Sequence, residues 1–288
     1  MHRFLLIFFT LLAQTAVGQD RLVVSAEWLL SHRADVHIVH VGPTNAPYVE
    51  ARIPGASHLP FHAVAVNRDG YVNILPLPED ARAAFQAAGL SAARPVVLYG
   101  EMNGLAAARA FFALEAFGHR DVSVLDGGFA AWRDAGGEVE TGEAPSPPPG
   151  DFVPILRREL LVDADFVEQE RVSPEVFLLD ARPAAQFTGA DPGDPSIERP
   201  GHIPGAANLF WQDALKEDGR FRSREDLLLW YERAGYSGDN LLIAYCRTGV
   251  MGSHAYLVAR WLGFIPVLYD ASYTNWSNQT TYPVQTIP

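Results

Sequence analysis

Cys246 is the one cysteine in 288 residues, and its setting is that of a nucleophile. It ends the apolar run Leu241-Leu242-Ile243-Ala244-Tyr245 and opens the stretch Cys246-Arg247-Thr248-Gly249-Val250-Met251-Gly252-Ser253. That order predicts a strand, a tight glycine-bearing loop and then a helix. In such a loop the backbone N–H groups and the start of the helix behind it point at one spot. Their partial positive charge is expected to lower the thiol pKa and to hold an anion next to it. A lone cysteine is often just a small buried hydrophobe. Here the glycines and the adjacent arginine favour chemistry, with the sulfur presented to solvent. Arg247, Thr248, Gly249, Val250 and Met251 are the candidate cradle for an anionic substrate.

The elements that must position this loop occur twice, at a spacing of about 140 to 150 residues. Leu22-Val23-Val24-Ser25-Ala26 parallels Leu161-Val162-Asp163-Ala164, each with a polar residue placed to cap a short amphipathic helix. The apolar strand at 36–41 parallels that at 176–181, and Arg52-Ile53-Pro54-Gly55-Ala56 parallels His202-Ile203-Pro204-Gly205-Ala206. Pro95-Val96-Val97-Leu98-Tyr99 parallels the strand that leads to Cys246. Each copy ends in a short strand and a helix bearing Trp132 or Trp276, which read as packing residues. Between the copies, the Pro/Gly-rich segment 141–156 cannot continue a helix or a central strand. Short Val/Ile/Leu strands alternating with helices predict, for each copy, a parallel sheet flanked by helices on both faces. The expected organisation is therefore α/β, with domains at 20–140 and 157–288.

The bulk composition narrows the function. A net charge of −12 argues against nucleic-acid binding, which rests on basic patches. Any anionic substrate must then be captured by local cations. Residues 1–18 combine a basic start, a short apolar run and small residues at Ala16 and Gly18, the pattern of a secretory signal peptide. The mature chain is expected to be exported, periplasmic or secreted, with no membrane attachment. In an oxidising compartment a single cysteine forms no internal disulfide, so its presence calls for another reason.

The paired units resemble the tandem-domain rhodaneses, the thiosulfate and 3-mercaptopyruvate sulfurtransferases. The resemblance is carried by Gly201-His202-Ile203-Pro204-Gly205-Ala206-Ala207-Asn208, Leu178-Leu179-Asp180-Ala181-Arg182, the Cys246-Arg247-Thr248-Gly249-Val250 loop and Tyr269-Asp270-Ala271-Ser272. It implies two rhodanese-like domains and a double displacement. The Cys246 thiolate takes the outer sulfur of a small anionic donor such as thiosulfate, and a thiol or cyanide acceptor then removes it from the persulfide. No cofactor is implied. It also assigns Arg182 to the donor anion, for which a guanidinium fork is well suited, although an ion pair with Asp180 is the alternative. Arg199 is a lesser candidate for an anion contact, and His202 is read as a residue that holds its turn. The first copy has Gly42 at the place of Arg182 and Gly100-Glu101 at the place of Cys246, so it is expected to be inactive.

The loop departs from both branches of that family. Thiosulfate-type members carry Arg-Lys after the cysteine, and here Thr248 replaces the lysine. Mercaptopyruvate-type members carry Gly-Ser-Gly-Val-Thr, and here Arg247 and Met251 replace the first and last. Arg247 leans the loop toward thiosulfate. Other readings are weaker. A cysteine-dependent phosphatase needs an arginine six residues after the nucleophile, where this chain has Gly252. A metal protein needs clustered Cys and His at ligand spacing, which is absent. A non-catalytic sulfur carrier keeps the same loop and differs only in turnover.

Overall fold

A computed structural model describes residues 21–287, so the leader pattern at 1–18 lies outside the described residues. The first half runs β1 (Val23–Val24), α1 (Ala26–His32), β2 (His37–Gly42), α2 (Ala46–Glu50), β3 (Ser57–Pro60), β4 (Val66–Arg68), β5 (Tyr71–Ile74), α3 (Pro78–Ala87), β6 (Val96–Gly100), α4 (Leu105–Ala116), β7 (Val122–Leu125) and α5 (Gly128–Asp134). The second runs β8 (Leu161–Val162), α6 (Ala164–Glu170), β9 (Val176–Asp180), α7 (Ala184–Thr188), β10 (Ala207–Asn208), α8 (Arg224–Arg233), β11 (Leu241–Tyr245), α9 (Val250–Leu262), β12 (Pro266–Tyr269) and α10 (Ser272–Ser277). Each half holds a five-stranded sheet. The orders are β1-β7-β6-β2-β3 and β8-β12-β11-β9-β10, so the two topologies coincide, and every pairing within them is parallel. Among the described residues no helix is long and apolar enough to cross a membrane.

Local chemistry explains the elements. Ser25 and Asp163 cap α1 and α6, their side chains accepting from the Trp28 and Phe166 amides at 3.2 and 2.9 Å. The Ile-Pro-Gly turns are held alike in both halves. Tyr99 accepts from the Ile53 amide and Tyr245 from the Ile203 amide, each at 3.2 Å. Trp132 and Trp276 are fully buried, and each spends its indole N–H on a backbone carbonyl.

Strand alternation decides which way Cys246 faces. Leu242, Ala244 and Cys246 lie in one apolar cluster, while Ile243 and Tyr245 lie in the cluster on the opposite face of the sheet. The cluster that holds Cys246 also contains Val39, Leu98, Phe111 and Phe112 of the first half, so one core runs from one sheet to the other. Its centre is the contact of α4 with α9. α4 is rich in alanine (Leu-Ala-Ala-Ala-Arg-Ala-Phe-Phe-Ala-Leu-Glu-Ala) and buried from Ala106 through Ala116. Alanine favours the helix and its small side chain admits a close neighbour. The Glu115–Arg260 ion pair, at 2.6 Å, closes the far end of this interface.

The halves also grip each other reciprocally. β4 and β5 form an antiparallel hairpin, and the Leu75 amide that follows it donates to Asp270 Oδ2 at 2.8 Å. The second half has a shorter equivalent, bridged at Leu215 and Phe221, whose Phe221 amide donates to Asp126 Oδ1 at 2.8 Å.

Candidate active site

Cys246 follows β11 directly, and α9 starts at Val250 after a three-residue loop. The Thr248, Gly249 and Gly252 amides lie near the sulfur and favour its thiolate form. Residues of α10 and α9 fix this cradle. Ser272 accepts from the Cys246 amide at 3.2 Å, and the Tyr273 and Thr274 amides at the start of α10 donate to the Cys246 and Arg247 carbonyls at 2.9 and 3.0 Å. Ser253 donates its hydroxyl to the Gly249 carbonyl at 2.8 Å. Gly249 sits at φ +85°, and a Cβ there would lie 2.6 Å from Asp270 Oδ1, so both the turn and the close approach require glycine. Val250 is buried, and Met251 is half-buried against the shared core.

Two expectations about the sulfur are corrected. Cys246 is 0% exposed, so it is not presented to solvent in this resting arrangement. Its thiol pKa is pushed up from the ordinary value. Burial is the main cause, the Gly252, Thr248 and Gly249 amides oppose it, and the nearby Asp180 carboxylate adds to it. The inward-pointing amides are thus present, but desolvation outweighs them.

Arg182 is 1% exposed and makes the ion pair with Asp180 that the sequence offered as the alternative. Its Nη2 donates to Asp180 Oδ2 at 2.6 Å and to the Gly201 carbonyl at 2.7 Å, and its Nε lies 3.0 Å from Asp180 Oδ1. The guanidinium carbon is 3.9 Å from the centre of the Tyr273 ring. Burial works against the charge and Asp180 outweighs it, which holds the guanidinium firmly protonated. Arg199 is spent similarly, on the Trp276, Ser277, Gln279 and Tyr282 carbonyls. His202 stacks on Phe187 and its Nδ1 bonds the Phe187 carbonyl at 2.7 Å, holding the turn. Arg247 is different. Its side chain is 33% exposed and pairs with Asp194 Oδ2 at 2.6 Å.

The first half adds residues that the sequence reading missed. Asn73, at the end of the hairpin with φ +59°, donates to Thr248 Oγ1 at 3.1 Å. Arg109 of α4 is 0% exposed and reaches across to Asp270 Oδ1 at 2.6 Å and Ser253 Oγ at 3.2 Å. It also holds the Asn73 carbonyl at 2.6 Å and the Val64 carbonyl at 3.0 Å. One local signal was available. Asp69-Gly70, both at positive φ, is the dipeptide that favours a two-residue hairpin turn.

The register shows what the first half lacks. β2 pairs His40 with Tyr99, as β9 pairs Asp180 with Tyr245. Gly100 therefore stands at the place of Cys246, His40 at that of Asp180 and Gly42 at that of Arg182. His40 Nε2 lies 3.5 Å from Glu101 Oε1, and burial beside His58 pushes the imidazole down to about 4. That position offers a neutral ring and a carboxylate, with no thiol and no guanidinium.

Residues 25–135 and 163–279 each match the rhodanese-like domain, so the chain belongs to the rhodanese-like family and carries that domain in tandem. It is a sulfurtransferase. It is 39% identical over 248 residues to a probable 3-mercaptopyruvate sulfurtransferase of Pseudomonas aeruginosa, covering 83% of this chain and 86% of the relative. It is 31% identical over 280 residues to the sulfur carrier protein TtuD of Thermus thermophilus, covering 93% and 97%. It is 30% identical over 277 residues to the 3-mercaptopyruvate sulfurtransferase of Escherichia coli, covering 92% and 98%. Among solved structures, an EanB variant with ergothioneine covalently linked to a cysteine persulfide superposes with a TM-score of 0.84 at 26% identity, over 93% of this chain and 70% of that one.

Proposed function

We propose that the chain moves the outer sulfur of thiosulfate to a thiol or cyanide through a persulfide on Cys246. The observation that carries this is the convergence of the Thr248 and Gly249 loop amides, and of the Gly252 amide in the first turn of α9, on the one sulfur nucleophile in the chain. The Cys246 thiolate attacks the outer sulfur, the S–S bond of thiosulfate breaks, and sulfite leaves with the electron pair. A persulfide anion remains, held by the same amides. The acceptor then attacks the terminal sulfur and regenerates the thiolate. No base is needed beyond the medium that ionises the thiol, and its raised pKa makes loading faster as the pH rises. Arg247 supports thiosulfate as donor because it follows the nucleophile in the loop and its side chain is partly open. The proposed setting is extracytoplasmic, supported by the leader pattern at 1–18.

The test is sulfur transfer to cyanide and to dithiothreitol, with thiosulfate and 3-mercaptopyruvate side by side. Mass analysis of the donor-treated protein should show one added sulfur on Cys246. Turnover with 3-mercaptopyruvate and none with thiosulfate would reassign the donor. Absence of a persulfide with both would refute the function.

A further inference from the structure

The segment Tyr269-Asp270-Ala271-Ser272 leads from the end of β12 into α10, and its serine holds a strained backbone. Ser272 sits at φ +56°, in the left-handed region that is unfavourable for a residue with a Cβ. The first half fills the same place with glycine. Asp126 and Asp270 follow β7 and β12, and each accepts an amide from the hairpin of the other half, so Gly128 stands where Ser272 stands. Gly128 has the same φ, +56°, and no Cβ to strain. The cysteine-free half thus builds this position without strain, while the half with Cys246 keeps a strained serine. Strain that persists beside a reactive group points to a task for the side chain.

The hydrogen bonds of Ser272 show that task. The residue is 0% exposed. Its hydroxyl donates to the Tyr269 carbonyl at 2.8 Å, which commits its one proton. The oxygen is left to accept, and it takes the Cys246 amide at 3.2 Å. The next residue, Tyr273, donates its amide to the Cys246 carbonyl at 2.9 Å. Consecutive residues of α10 therefore pin both peptide groups that flank the Cys246 Cα. Two pinned peptide planes fix the backbone dihedrals of Cys246, and with them the direction of its Cα–Cβ bond. The Thr248, Gly249 and Gly252 amides lie near the sulfur that this bond carries.

We propose that Ser272 is a positioning residue, whose hydroxyl holds the Cys246 backbone so that the sulfur is aimed at the Thr248, Gly249 and Gly252 amides. This rests on Cys246 being the nucleophile of the function proposed above. Ser272 acts through the Cys246 backbone and exchanges no proton with the sulfur, since its own is held by Tyr269. Without the hydroxyl, the buried Cys246 N–H loses its acceptor and its peptide plane is free to turn. The sulfur then loses part of its alignment with the amides that favour the thiolate.

The test uses the full chain. Ser272→Gly removes the hydroxyl and relieves the strain, whereas Ser272→Ala removes the hydroxyl and keeps the strain. In both, the pH midpoint for alkylation of Cys246 by iodoacetamide should rise by roughly half a unit or more. The kcat/KM for thiosulfate at neutral pH should fall about ten- to a hundredfold, the range for a misplaced reacting group. The Tm should fall further in Ser272→Ala than in Ser272→Gly. Asp180, the charged group near the sulfur, is the same in both variants, so it cannot move the midpoint. Gly128→Ser is the control, since a Cβ there meets nothing within 4 Å. It should lower the Tm by imposing the strain and leave the alkylation midpoint and turnover as in wild type. A midpoint in folded Ser272→Gly within about 0.2 units of wild type overturns the inference, as does an equal rise in Gly128→Ser. Alkylation needs no sulfur donor, so the two claims separate. An unmoved midpoint in a protein whose wild type loads a persulfide sinks the role of Ser272 and leaves the function standing, whereas no loading of wild type with either donor sinks both.

Discussion

Replacing Arg182 with alanine should unfold the protein more readily without weakening donor capture in the molecules that remain folded. The magnitude follows from the surroundings. Arg182 and Asp180 side chains are 1% and 0% exposed, and the guanidinium makes its closest carboxylate contact at 2.6 Å. Removing one partner of such a pair leaves a buried uncompensated charge, which costs about 3–5 kcal/mol. For a chain of this size that corresponds to a fall in Tm of roughly 6–20 °C. The orphaned Asp180 carboxylate also stands near Cys246 and already pushes its thiol up, so losing its counterion should push the thiol further. Two assays separate stability from binding. Thermal unfolding should show the drop, and alkylation of Cys246 by iodoacetamide below the melting range should show a midpoint moved to higher pH. The KM for thiosulfate should stay within about twofold of wild type. The double variant Asp180→Asn with Arg182→Met should recover much of the Tm, because it removes the charge that was left unpaired. A melting point within about 2 °C of wild type, together with a tenfold or greater rise in the KM for thiosulfate, would refute this reasoning and return Arg182 to the donor site.

Other substitutions test other links. Cys246→Ser is nearly isosteric and should keep the Tm, yet turnover should fall below about 1% of wild type, because a serine alkoxide is far less accessible than a thiolate. Arg109→Met should cost about 3 kcal/mol by leaving Asp270 without its cation, and limited proteolysis should then cut between the halves more readily. His254 is fully buried between Trp211 and Phe221, and burial pushes its pKa from 6.5 down to about 3. Between those values the unfolded chain binds a proton there that the native protein does not, so this contribution is complete above pH 6.5 and is lost as the pH falls toward 3. His254→Phe should flatten the fall of stability with acid by up to about 1.4 kcal/mol per pH unit, measured by urea unfolding at several pH values. N-terminal sequencing of native protein should find a start near Gln19, and an intact Met1 on a cytosolic protein would contradict export.

The frame was legible because it is written in local patterns. Strand hydrophobicity, the Pro-Gly turns and the glycine loop after β11 recur in register, and the recurrence gave two parallel sheets with a loop over Cys246. Arg182 was readable in part. Asp180 and Arg182 stand two apart at the end of a strand, where side chains share a face, and that spacing favours the ion pair that forms. The state of the thiol was not readable. Loop dipoles are a local property, while burial depends on everything that closes over the sulfur, including a helix and a hairpin more than a hundred residues away. The contacts Asn73–Thr248, Arg109–Asp270 and Arg247–Asp194 belong to the same class, since each is set by tertiary placement.

The two halves share topology, capping, turn tyrosines and buried tryptophans, so their functional difference is concentrated in few positions. Where the second half has Asp180, Arg182 and Cys246, the first has His40, Gly42 and Gly100. A further difference lies in the loop itself, since four residues separate Gly100 from α4 and three separate Cys246 from α9. The longer loop carries Met102 and Asn103 at positive φ, so its backbone path differs from that of the loop over Cys246. Placing a cysteine at Gly100 would therefore not create a second site, and a Cβ there would also meet the Val41 carbonyl oxygen at 2.2 Å. What the first half retains is the reach of its hairpin and of Arg109 across the interface. Asn73 holds Thr248, the Leu75 amide holds Asp270, and Arg109 holds both Asp270 and Ser253, whose hydroxyl in turn holds Gly249. Thr248 and Gly249 are two of the amides over the sulfur, so the cysteine-free half fixes the geometry on which the other half's chemistry depends.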